Sequence, residues 1–103
     1  MRKIPKKMLK EILEDPFYRK CCITGSKNVS LEHSIIYAGR QVNEIWAIVP
    51  LRRDLNTSHP PTEVKEKCTL IALSRATEED FDKYPRAKER WKQKLKYLKQ
   101  KYE

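Results

Sequence analysis

Residues 30–36 read SLEHSII, and after the loop YAGRQVNE residues 45–51 read IWAIVPL. The first stretch alternates from side to side. Val29, Leu31, His33 and Ile35 fall on one face of an extended chain, and Ser30, Glu32, Ser34 and Ile36 on the other. That spacing predicts a strand over Val29–Ile36. The second stretch is rich in Ile, Val and Trp and predicts a strand over Ile45–Leu51. Pro50 puts it at an edge or marks the strand's exit. The loop between them, hinged at Gly39, is shorter than the dozen or more residues that a parallel crossover needs, so the two strands pair antiparallel. A two-stranded hairpin is marginal in water, so flanking helices must cover one face of it.

Those helices are legible on both sides. Ile4, Met8 and Ile12, widened by Leu9 and Leu13, form an apolar stripe that predicts a helix over residues 4–14. Asp15-Pro16 ends it, because the residue before a proline is pushed out of the helical region. Gly25-Ser26-Lys27-Asn28 reads as a turn. Beyond the second strand, RRDLNTSH reads as a short helix or helical turn that Pro60-Pro61 prevents from running on. Thr62 is placed to cap a helix over 63–74, with Val64, Cys68 and Ile71 as its apolar stripe. ATEEDFDKYP predicts a short helix capped by Thr77, with three acids beside its positive end. The last helix, 86–101, aligns Trp91, Leu95, Leu98 and Tyr102 on one face and surrounds them with lysines.

The expected fold is therefore α+β: an antiparallel hairpin and a short helix, flanked by N- and C-terminal helices. The 103 residues suit one domain, divided into an N-terminal helix (1–20), a central core (21–60) and C-terminal helices (61–103). No apolar run approaches the roughly 20 residues of a membrane span. The basic N-terminus lacks the apolar region and cleavage site of a signal peptide, so a soluble cytoplasmic protein is expected. Cys21, Cys22 and Cys68 are odd in number and two are adjacent, which argues against a disulfide framework and for reduced thiols.

The formal net charge is +9, and its placement says more than its size. Residues 1–20 carry seven Lys or Arg and three acids; residues 86–103 carry eight and two; residues 21–85 carry eight and nine. Basic flanks around a balanced centre suit a polyanion, most simply nucleic acid, held over a central site. A pair of solvated lysine-rich helical faces would give the same totals.

Glu32 and His33 make an adjacent acid and base at the end of a strand. Neighbours on a strand point to opposite faces, so one can hold a cation while the other faces a substrate. Asn56 and His59, three apart, share a face on any helical turn, and a hairpin that folds back brings that turn against the pair. Two oxygen donors, Glu32 and Asn56, with His59 and a free imidazole at His33, support metal-assisted hydrolysis of a phosphodiester. Imidazoles ordinarily titrate near neutral pH and take protons from water. Oxygen ligands favour Mg²⁺ or Mn²⁺; a histidine ligand also allows Ni²⁺ or Zn²⁺. Arg40 in the loop, and Arg52 and Arg53 after the second strand, are candidate phosphate contacts.

LEHSII, a loop, WAIVPL, and then a turn with Asn and His together resemble the HNH endonuclease motif, and most closely small phage-type HNH proteins with a YAGRQ…NE.W loop. The resemblance covers roughly residues 20 to 60. It implies a ββα-metal fold, DNA as substrate, one divalent ion and a cytoplasmic setting, that of a bacterial host if the gene is a phage's. By position it implies that Glu32 is a metal ligand, that His33 is the general base, and that Asn56, with His59 near the next expected place, completes the metal site. The chain departs from the motif in three ways. The middle Asn of the name falls at Ala47, and Asn43 in the loop is the candidate substitute that supports the base. The cysteine pairs that often hold a structural zinc are absent: the position expected to partner Cys22 reads Thr24, and the second pair reads Arg52 and Leu55. The ligand helix stops at Pro60. The leading expectation is a metal-dependent DNA endonuclease, with a partner protein supplying specificity if any is needed. A catalytically idle nucleic-acid-binding relative that assists recombination or packaging is the alternative. A third reading, a protein-binding module, requires the Trp91/Leu95/Leu98 face to be exposed.

Overall fold

The computed structural model describes residues 3–57 and 60–103. The architecture is α+β. Helix α1 spans Lys6–Glu14 and is followed by a 3-10 turn at Pro16–Arg19, entered through Asp15, whose side chain accepts from the Phe17 amide. Strand β1 is Val29–His33, β2 is Ile36–Tyr37, β3 is Arg40–Gln41 and β4 is Ile48–Arg52. Helices α2 (Thr62–Arg75), α3 (Glu78–Asp82) and α4 (Pro85–Tyr102) complete the chain.

β1 and β4 pair antiparallel, with Glu32 opposite Val49 and His33 opposite Ile48. The proline in β4 is accommodated at the outer edge. The Pro50 carbonyl accepts from the Cys22 amide at 2.9 Å. The N and C=O of a strand residue point to the same side, so the missing N–H lies on that edge and not in the ladder to β1.

The strands are shorter than the alternation implied. The chain leaves β1 after His33, Ser34 donates to the Ala47 carbonyl, and Ile36–Tyr37 pairs instead with Arg40–Gln41. The loop is thus a second small hairpin. Its two turn residues, Ala38 (φ 52°) and Gly39 (φ 78°), both take the left-handed conformation that a tight two-residue hairpin requires. Ile45–Ala47, expected as strand, forms a 3-10 turn before β4 begins. Arg52–Asn56 forms a hydrogen-bonded turn, with Leu55 and Asn56 both donating to the Arg52 carbonyl, within the stretch expected as a short helix or helical turn. Thr62 begins α2 as a helical residue, with Pro61 at the capping position and no side-chain cap. Thr77 does cap α3, in a reciprocal pair with Asp80.

Both faces of the β1–β4 hairpin are covered. One packs on α1 and the 3-10 turn, through Ile12, Tyr18 and Ile48 with Leu31, Ile4 and Met8. Here Arg75, at the end of α2, acts as a clamp. It lies 4.0 Å over the Phe17 ring and donates to the Tyr18 hydroxyl at 2.7 Å. The other face joins the main core, where Val49 and Leu51 meet Cys68, Ala72 and Leu73 of α2. Beneath them Trp46, Phe81, Tyr84, Tyr37 and Trp91 stack edge-on or tilted at 5.2–6.3 Å. The α4 face built on Trp91 and Leu98 is buried, with Leu95 packed against it, so it is not open to a partner. No helix of the described residues is long and apolar enough to cross a membrane. Cys21, Cys22 and Cys68 are all free, and the first and last are buried.

Candidate functional site

Strand pairing decides where the acid and the base sit. Glu32 shares a face with Val49 and so looks toward α2. His33 shares a face with Ile48 and so looks toward α1. Both line the wall of one cleft of about 470 Å³ between the end of the hairpin, the β2–β3 loop and α2.

His33 is 5% exposed. Its Nε2 lies 3.2 Å from Asn43 Oδ1, and Asn43 Nδ2 donates to the Lys3 carbonyl at 2.9 Å. A carbonyl only accepts, so Lys3 orients the Asn43 amide with its nitrogen outward and its oxygen toward the imidazole. Nε2 is therefore the donor, and in the neutral imidazole Nδ1 holds the lone pair. That Nδ1 is buried and has no hydrogen-bond partner among the described residues. An unmet buried acceptor costs about 1–3 kcal/mol, which a water or a ligand group at that atom would recover. The Ser34 hydroxyl, also at the cleft, is unmet in the same way.

On the other side of the strand, Asn56 is held against β1. Its Nδ2 donates to Ser30 Oγ at 2.7 Å and to the Leu31 carbonyl at 3.3 Å. Ser30 and Glu32 are two apart and share a face, so Asn56 and Glu32 come together on the α2 side. With its nitrogen committed to β1, Asn56 keeps its carbonyl oxygen as the atom free to meet a cation. Burial pushes the Glu32 carboxyl above the usual carboxylate range, partly offset by the Lys65 ammonium. Two protein oxygens with room for water suit a hard divalent ion. Among the described residues no three His, Cys, Asp or Glu side chains converge as a metal cluster. His59, the expected further ligand, lies outside the described residues.

The arginines divide. Arg52 is bound to Asp54, and Arg53 donates to Asn28 Oδ1 at 3.1 Å, so both are occupied in shaping the turn after β4. Arg40 is exposed beside Gln41, which lines the cleft. Ala47 is fully buried in the main core, so an amide side chain there would enter apolar surroundings, whereas Asn43 reaches the imidazole from the loop. Sequence reasoning missed Lys65 and Thr69, which α2 presents to the cleft. They sit four apart, and that spacing on a helix following the hairpin was the available signal.

Comparison with known family models, curated proteins and solved structures finds no match.

Proposed function

We propose that this cleft hydrolyses phosphodiester bonds in DNA with the aid of a divalent cation, in the manner of an HNH endonuclease with a ββα-metal site. The chain from Lys3 through Asn43 to His33 carries the reading, because it leaves an imidazole nitrogen without a partner among the described residues in a residue that lines the same cleft as Glu32. His33 Nδ1 would take the proton of the attacking water. Asn43 is a positioning residue that holds the tautomer, as a carboxylate or carbonyl does for other catalytic imidazoles. Glu32 and the Asn56 oxygen would hold Mg²⁺ or Mn²⁺, and His59, if it joins them, would admit Ni²⁺ or Zn²⁺. Such an ion supplies charge neutralisation at the phosphate and at the leaving oxygen. Arg40 and Lys65 add positive charge at the cleft for the phosphate.

One arrangement favours the second reading, an idle nucleic-acid-binding relative: the Asn56 amide is tied to β1 in a turn, where the motif would have a helix. Plasmid nicking with Mg²⁺, Mn²⁺, Ni²⁺ and Zn²⁺ separates the two. The nuclease reading expects metal-dependent nicking that falls at least about 100-fold in His33→Ala and roughly 10- to 100-fold in Asn43→Ala, with DNA binding retained. No nicking with any metal, beside intact salt-sensitive binding, selects the idle relative. Unfolding of His33→Ala would instead identify a core histidine.

A further inference from the structure

Helix α4 carries eight Lys and Arg, and the fold sorts them. At 100° per residue, Ala87, Trp91, Leu95 and Leu98 turn to the core. On one flank Lys88 and Lys92 are neutralised by α3, through Glu78 and Asp82. Lys101 is held by Glu66 of α2 at 2.9 Å. Arg86, Arg90 and Lys94 form a row on the opposite flank, four residues apart. All three are exposed, and none makes an ion pair among the described residues. Tyr97, 51% exposed, continues the row. The acid inside the helix, Glu89, lies outside it.

We propose that this row is a second docking surface, separate from the cleft, that holds the phosphate backbone of duplex DNA without reading bases. Like charges four apart on a helix repel; Glu66 of α2 attracts Lys94 without pairing with it, and phosphates along the row would relieve the repulsion directly. Arg86 to Lys94 spans about 12 Å of helix, a length along which one DNA strand carries about four phosphates at 3.4 Å spacing. Two of the three cations are arginines, whose forked donors fit phosphate oxygens. A membrane surface is a poor match, because a helix lying on lipid needs a free apolar face and the apolar face of α4 is in the core. The choice of DNA among polyphosphates rests on the nuclease reading; the phosphate contact itself does not.

The test is binding of a random-sequence 30-base-pair duplex, without metal, across a salt series. It compares the wild type, Arg86→Ala/Arg90→Ala/Lys94→Ala and Lys96→Ala/Lys99→Ala, the last pair exposed on the other flank. The expected result is a slope of log affinity against log salt that falls by about 2.7 in the triple variant, 0.9 for each charge, with less loss per charge in the double variant. Thermal melts of both variants unchanged from wild type would exclude unfolding as the cause. An unchanged slope, an equal loss per charge on both flanks, or a loss confined to an RNA hairpin probe would overturn the proposal. Because no metal or cleavage enters the readout, failure of the nuclease reading leaves this result interpretable.

Discussion

The two faces of the β1–β4 hairpin use the same pairing to opposite ends. Toward α1 the hairpin presents Leu31 and Ile48 to Ile12 and Tyr18, and its polar residue, His33, is sealed in by Asn43. Toward α2 it presents Glu32 and Ser30 beside Asn56 and Lys65, at the rim of a core that is otherwise apolar. The difference follows from period two: one residue along the strand exchanges a closed environment for an open one. An adjacent Glu and His are thereby given separate surroundings within one cleft wall.

Substitutions break or sharpen this contrast to different degrees. The largest effect is expected from the support below the α2 face. Trp91→Ala removes the centre of the aromatic cluster and should lower unfolding free energy by about 3–5 kcal/mol in urea titration. Ile48→Ala, on the α1 face, should cost about 2–5 kcal/mol and raise hydrogen exchange in α1 before it does so in α4. Equal exchange in both helices would mean that the two faces are not separately stabilised.

Glu32→Gln should act in the other direction. Burial raises the Glu32 pKa, so the folded state prefers the protonated carboxyl. The penalty for its charge is absent below the ordinary carboxylate range and develops as pH rises through the shifted value. The variant should therefore match the wild type at acid pH and exceed it at pH 7. The gain should be no more than about 1 kcal/mol, because solvent screens a half-buried group that also faces Lys65. A variant less stable at pH 7 would mean that the Lys65 attraction outweighs desolvation. The smallest effect is expected at the loop that walls the cleft. Ala38→Gly relieves a left-handed alanine and should gain up to about 1 kcal/mol in thermal melts, less what the flexible unfolded glycine gives back.

Much of this fold was legible because its elements carry short-range signals. The Thr77 cap, the Trp91 stripe and the alternation of residues 29–33 each state their structure locally. The failures occur where partners decide. Ile45–Leu51 is apolar almost throughout, and such a run does not distinguish a strand from a turn; Glu44 and Ala47 settle it by closing a 3-10 turn. Ser34 to Ile36 keeps the alternation of a strand, but Ala47 and Gln41 draw it to two different neighbours. The candidate site was legible in identity and not in connection. Glu32, His33, Asn43 and Asn56 could be named, but the bond from Asn43 to His33 depends on a Lys3 carbonyl 40 residues from Asn43. The engagement of Arg52 and Arg53 inside the turn left no trace in periodicity.

The Arg75 clamp also bears on how the chain is made. Its hydrogen bond to Tyr18 joins residues 57 apart in sequence. At roughly 5–20 residues per second of synthesis, Tyr18 waits about 3–11 s for that partner to be polymerised. During that interval Phe17 and Tyr18 lack the guanidinium that later covers them, and the nascent N-terminal third exposes aromatic surface to whatever binds emerging chains.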